Sequence, residues 1–222
     1  MSMRLPRPSA VIFDWDGTLI NSVPIIYAAV NKTRAAFGLP PEDPATVHHY
    51  TAMTKEQSFV VRFGEANAAR AIDMYQGFIE EVHAPTFSSP AAQADIIIPG
   101  ALDVLQWLHG QNIPLLVVSN KTSVWLHKEV AYLGWQKYFR VVQGAQDTQT
   151  PKPDARAVLQ PLQHIGVQPE DAVLFIGDSR ADVECANAAG LTSVYYSKMP
   201  YDGNGSPRHT ISDYRDLLKL LG

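Results

Sequence analysis

The chain has 222 residues, 46% of them hydrophobic, enough for one large domain or a core with a smaller insert, and a composition that argues against disorder. A net charge of −4 without a long basic block disfavours nucleic acid as a partner, and the single cysteine, Cys185, excludes an intrachain disulfide. With no signal-peptide core, and no apolar run near the roughly 20 residues that span a bilayer, a soluble cytoplasmic protein is expected.

In chain order, the first predicted strand is Ala10–Phe13, which runs into Asp14-Trp15-Asp16-Gly17-Thr18. Acids at alternate positions project to the same side of an extended backbone. Two carboxylates that close are costly unless a cation lies between them or one keeps its proton. A divalent metal with a phosphorylated substrate gives the pair a purpose; an Asp-Gly turn closing a strand accounts for the same residues without a site. From about 20 to 95 the spacing is helical. Val23, Ile26, Tyr27, Val30 and Phe37 make one helix that stops at Gly38, and Lys55–Phe63 and Asn67–Val82 make two more. Pro85 to Pro90 reads as a breaker-rich linker. Residues 20–95 are therefore expected to form an all-helical insert between the first two strands of a sheet.

Beyond the insert, strand and helix alternate. A Leu102, Leu105 and Leu108 stripe precedes the strand Leu115–Ser119; Val124, His127, Lys128 and Ala131 fall at helical spacing before Gly134. The strands Arg140–Gln143, Val173–Gly177 and Ser193–Tyr196 follow. Between them lie a helix around Ala155–Ile165, which Pro161 is expected to kink or split, and a small-residue helix Ala181–Ala189 capped by Gly190. Continuously apolar strands separated by helices imply an open α/β sheet of parallel, Rossmann-like type, in which ligands bind beyond the carboxyl ends of the strands. Those ends carry complementary groups: Asp14 and Asp16, then Ser119 and Asn120 with Lys121 behind them, then Lys152 between Pro151 and Pro153, then Asp178, Ser179 and Asp182.

Each group alone has an ordinary explanation. Asp178-Ser179 can cap a helix, Asp182 suits a first helical turn, and a lone lysine is usually a surface residue. Together, in this order, they resemble the four signature motifs of the haloacid dehalogenase superfamily of hydrolases: Asp14-Trp15-Asp16-Gly17-Thr18, Ser119-Asn120, Lys152-Pro153 and Gly177-Asp178-Ser179-Arg180-Ala181-Asp182. Asn21-Ser22-Val23-Pro24, Pro99-Gly100 and Ser119-Asn120-Lys121 look most like its phosphoglycolate phosphatase branch. The resemblance implies a catalytic core of residues 1–19 and 96–222 and a helical cap of residues 20–95. It implies Mg²⁺ held by Asp14, Asp178 and the main-chain carbonyl of Asp16, with Asp14 as nucleophile. Thr18, Ser119, Asn120 and Lys152 would bind phosphate, and the partner would be a small phosphorylated metabolite.

Chemistry supports the same roles. A carboxylate can attack phosphorus, Asp16 can pass a proton to the leaving oxygen, and Mg²⁺ suits hard oxygen ligands. Lys152 and Ser119 would stabilise phosphoryl oxygens, and Asp182 would orient Lys152 or a metal-bound water. The chain departs from the family pattern at Ala155, where a proline is frequent, at Asn21, where an acid is frequent, and at Trp15, whose side chain reads as packing. His48, His49, Tyr50, Thr51, Lys55 and Arg62 are the polar insert residues that can reach a substrate; each suits a solvated helix face equally well. A phosphomutase, a haloacid dehalogenase and an aspartate-phosphorylated receiver protein are the alternative readings, and a monomer and a homodimer are both compatible with the sequence.

Overall fold

The structure, a computed structural model, describes residues 5–43, 55–148 and 150–222. Contacts divide the chain into two compact units, one made of residues up to Ile20 with Ile97–Gly222, the other of Asn21–Ile96.

The first unit is an α/β sheet of six strands: β1 (Ala10–Phe13), β2 (Leu115–Val118), β3 (Phe139–Gln143), β4 (Val173–Gly177), β5 (Thr192–Tyr196) and β6 (His209–Ile211), in the order β3-β2-β1-β4-β5-β6. Every pairing is parallel. β1, β2 and β4 are buried at every residue, as sequences such as AVIF and LLVV require when helices cover both faces. The edge strand β3 is less buried. Alternation along β1 divides the core: Ala10 and Ile12 pack with Val158, Leu162, Cys185 and Ala186 on one face, and Phe13 meets the Tyr214 ring on the other, centroids 6.5 Å apart. The order of strands reverses between β1 and β4, which creates a crevice at their carboxyl ends.

The helices of this unit are α5 (Ala101–Gly110), α6 (Ser123–Tyr132), α7 (Arg156–His164), α8 (Arg180–Ala188) and α9 (Tyr214–Leu221), and those of the second unit are α1 (Val23–Ala36), α2 (Lys55–Phe63), α3 (Glu65–Thr86) and α4 (Pro90–Ile96). The second unit is all-helical among its described residues. Its core is aromatic: the Phe59 ring lies 5.4 Å from Phe63 and 5.1 Å from Tyr75, and Phe37 lies 5.4 Å from Phe63. Arg62 and Glu42 form a buried ion pair at 2.9 Å, and Tyr27 and Asn31 bind the Glu42 main chain.

Several expectations need correction. The breaker-rich linker expected from Pro85 to Pro90 is shorter than that span, because α3 continues to Thr86 and α4 begins at Pro90, which leaves residues 87–89 between the helices. Pro90 is tolerated because it opens the first turn of α4, where its missing N–H costs no hydrogen bond. Pro161 does not split α7. Its ring removes the N–H that would bond to Ala157, and the Gln143 side chain at the end of β3 donates to that carbonyl instead, at 2.8 Å. β6 and α9 lie beyond the predicted elements; β6 has only three residues, and α9 follows Asp213, whose side chain accepts a hydrogen bond from the Arg215 N–H. On α6 the buried residues are Ser123, Leu126, Glu129 and Val130, while Val124 is exposed.

Candidate active site

Asp14 is the first residue beyond β1, and its N–H donates to Ile176 O on β4. Its carboxylate is buried with Oδ1 2.8 Å from Lys152 Nζ, but no well-directed hydrogen bond reaches that oxygen. The lysine is aimed at Asp182 Oδ1, 2.6 Å away. The other Asp182 oxygen accepts from Ser179 N (3.0 Å) and Oγ (2.6 Å), completing a capping box at the start of α8. Asp182 thus serves two purposes: it caps α8 and orients Lys152.

Lys152 is held at its main chain as well. Its N–H donates to Asn120 Oδ1 and its carbonyl accepts from Asn120 Nδ2, both at 2.9 Å. The Asn120 amide therefore pairs with the lysine's backbone as a neighbouring strand would. Ser119 is buried, and its hydroxyl accepts from Lys121 N–H at 3.3 Å, which leaves its own proton to donate elsewhere. Thr18 is buried too; its hydroxyl donates to Asp178 Oδ1 at 3.3 Å, and its carbonyl accepts from Tyr214 Oη at 2.9 Å. The turn between these residues needs glycine. Gly17 has φ +76°, and a Cβ there would lie 2.0 Å from Asp178 Oδ2.

Carboxylate oxygens of Asp14, Asp178 and Asp182 lie within 4.8 Å of one another. Burial, then the Asp182 charge, push the Asp14 carboxyl up to about 6 against the opposing pull of Lys152. Burial, then Asp14 and Asp182, hold Asp178 well above the usual carboxylate range. Burial alone would lower Lys152, but Asp14 and Asp182 outweigh it and keep the ammonium charged. Three acids thus surround one lysine, and the underbonded Asp14 oxygen faces that excess of negative charge. Hard oxygen donors, surplus charge and an unsatisfied buried oxygen are what a Mg²⁺ site requires, so these residues fit the ion.

Asp16 goes elsewhere. Its Oδ1 accepts from Lys121 Nζ at 2.8 Å, and the same ammonium lies 2.9 Å from the Glu129 carboxylate. The acids that alternate in sequence thus engage different lysines. Sequence reasoning places Lys121 behind Ser119 and Asn120 without a role and passes over Glu129, although one signal is available: Glu129 shares a helical stripe with Leu126 and Val130, and an acid on a core-facing stripe needs a partner. In the insert, Arg62 is committed to Glu42, Lys55 is exposed at the start of α2, and His48, His49, Tyr50 and Thr51 lie outside the described residues.

Acids and a lysine converging at the switch point of a parallel sheet define an α/β hydrolytic enzyme. A profile of the haloacid dehalogenase-like hydrolases matches residues 11–196, and the chain belongs to that family. It is similar to a phosphoglycolate phosphatase from Pseudomonas putida, 33% identical over 95% of this chain and 79% of the relative. Another phosphoglycolate phosphatase, from Chromobacterium violaceum, is 29% identical over 98% of this chain and 99% of its own. Among solved structures, a subfamily IA hydrolase of this superfamily from Geobacter sulfurreducens superposes with a TM-score of 0.74 at 23% identity, covering 97% of this chain and 98% of its own. A β-phosphoglucomutase from Clostridium difficile gives 0.73 at 18% identity, with 96% of each chain covered. These two structures share the fold. No described helix is long and apolar enough to cross a membrane.

Proposed function

We propose that the protein is a Mg²⁺-dependent phosphatase that hydrolyses a small phosphomonoester through an aspartyl-phosphate, with phosphoglycolate as the first substrate to test. The observation that carries this reading is the underbonded Asp14 carboxylate, 2.8 Å from Lys152 Nζ at the mouth of the β1/β4 crevice. The names of the relatives support the substrate class.

An Asp14 oxygen attacks phosphorus as the bond from phosphorus to the leaving oxygen breaks, and Asp16 delivers a proton to that oxygen. The Asp16 carboxylate then takes a proton from water, whose oxygen attacks phosphorus; the bond to Asp14 breaks and inorganic phosphate departs. Lys152 and the Ser119 hydroxyl bind phosphoryl oxygens. Since the Asn120 side chain is occupied by Lys152, Asn120 offers phosphate its main-chain N–H and otherwise positions Lys152. Thr18, with its hydroxyl on Asp178, its N–H on Trp15 O and its carbonyl on Tyr214, positions the turn instead. Asp14, Asp178 and the Asp16 carbonyl are the Mg²⁺ ligands, and the bound ion supplies positive charge against the phosphoryl oxygens. The unit Asn21–Ile96 serves as the cap that selects the leaving group. Its hinge is the pair of connections at which Ile20 bridges to Ile97 and Asn21 N–H bonds to Ile96 O.

The test is phosphate release from a panel of small phosphomonoesters, with and without Mg²⁺. Asp14→Asn, which preserves shape, is expected to lower kcat by about 10³-fold or more while the far-ultraviolet spectrum is unchanged. Full turnover by that variant, or isomerised product without free phosphate, would overturn the reading.

A further inference from the structure

The side chain that separates the two strand-end acids does more than fill space. Trp15 is fully buried and edge-on to Trp135, centroids 5.8 Å apart, and its indole Nε1–H donates to Glu129 Oε2. The other Glu129 oxygen, Oε1, lies 2.9 Å from Lys121 Nζ, and the Glu129 side chain is only 1% exposed. Lys121 Nζ in turn donates to Asp16 Oδ1 at 2.8 Å. A ring therefore closes: Asp16 is joined to Trp15 by the peptide bond, to Glu129 through the indole, and back to its own carboxylate through Lys121.

Asp16 needs such a device. It lies in the turn beyond β1, and its side chain is 30% exposed, the most open of the groups in this ring. A partly solvated carboxyl has several rotamers of similar energy, and a proton donor that is misplaced by about 1 Å loses much of its effect. Lys121 has a long, flexible side chain and could not hold Asp16 unless it were fixed itself. Glu129, buried on the core-facing stripe of α6 and bound by an indole N–H, provides that anchor. Lys121 and Glu129 carry opposite charges, so Asp16 meets a donor whose charge is largely compensated.

We infer that Lys121 is a positioning residue for Asp16, held in place by Glu129 and Trp15, and that this ring aims the Asp16 carboxyl at the leaving-group oxygen. The inference rests on the phosphatase reading above. It predicts an effect on the two steps in which Asp16 moves a proton, delivery to the leaving oxygen and removal from the attacking water. None of the side-chain contacts that close the ring falls on Lys152 or on the Asp14 carboxylate, so binding of the phosphoryl group and attack by Asp14 are expected to be left intact.

The leaving group separates these steps. The alkoxide released from 2-phosphoglycolate is strongly basic and needs a proton as it departs, whereas p-nitrophenolate leaves without one. In Lys121→Met and Glu129→Gln, the single-turnover rate of phosphoryl transfer at saturating substrate is expected to fall about 10²-fold for 2-phosphoglycolate and by less than about threefold for p-nitrophenyl phosphate, read as the first turnover of p-nitrophenolate. Steady-state turnover falls on both esters, because Asp16 also takes the proton from water. Trp15→Phe keeps the aromatic packing and removes only the indole donor, so it should show the same selectivity at smaller amplitude, and it stands in if either charged variant fails to fold. Equal losses on both esters in the first turnover, or a rise in KM alone, would overturn the inference and leave the phosphatase reading standing. A wild-type protein that releases phosphate from neither ester would overturn both.

Discussion

Lys152 shows how one side chain can be needed twice. It is the only cation within reach of Asp14, Asp178 and Asp182 among the described residues that define this cluster, and its own burial is tolerable only because those acids surround it. Removing one partner of a buried ion pair leaves an uncompensated charge, which typically costs about 3–5 kcal/mol. Lys152→Met is therefore expected to abolish phosphate release and to lower unfolding free energy by about that amount at pH 8 in a denaturant titration. The deficit should shrink at pH 5, because the carboxyls of Asp14 and Asp178 already favour their protonated forms and would then bury no charge. A deficit that is independent of pH would show that the lysine acts through packing alone. Trp15 carries the complementary lesson: an indole that reads as packing from its neighbours proves to be a hydrogen-bond donor to a buried acid, since a buried N–H must find a partner.

At the scale of elements, strand ends and helix starts are tied by side chains that belong to neither alone. Gln143 closes β3 and satisfies the Ala157 carbonyl that Pro161 leaves open in α7, while Asn120 after β2 pairs with the backbone of Lys152. A Gln143→Leu change preserves volume but strands that carbonyl in the core. The expected loss is about 1–3 kcal/mol in unfolding free energy, with kcat of the folded protein unchanged. An unchanged denaturation midpoint would mean that water reaches the Ala157 carbonyl. The same logic explains why Pro161, a helix breaker by every local rule, is compatible with a continuous α7: the missing hydrogen bond is replaced from a strand 14 residues upstream of the acceptor.

For the whole molecule, the acid cluster links proton binding, metal binding and stability. Asp14 has its carboxyl at about 6 in the folded protein against 3.8 for the ordinary group, so the native state holds a proton that the unfolded chain has released. This contribution to stability is complete below the unfolded value and is lost as pH rises through the folded one, and Asp178 acts in the same direction. A divalent cation opposes the loss by replacing the proton. Mg²⁺ at about 100 times its Kd is therefore expected to raise the melting temperature by about 5–10 °C at pH 7.5 and by much less at pH 5. In Asp178→Asn the shift should vanish; a shift that persisted there at full size would place the ion elsewhere.

The sequence by itself determined the parallel α/β core, its helical insert and the order in which acids, hydroxyl, amide and lysine arrive at strand ends. Those features depend on local patterning: apolar runs make buried strands, breakers end helices, and parallel strands present their carboxyl ends on one side. Only the tertiary structure decided how the groups pair. Asp14 and Asp16 look equivalent one residue apart, yet Lys152 lies on the first and Lys121 on the second. Asn120 proved to brace a lysine 32 residues away, and Glu129 to anchor a ring through a tryptophan 114 residues away. β6 is illegible locally for a related reason, since three residues carry too little periodicity to define a strand until β5 lies beside them. Pairing across such separations is fixed by which elements pack together and by the cost of leaving a buried charge or N–H unpartnered, and neither quantity is written in local spacing.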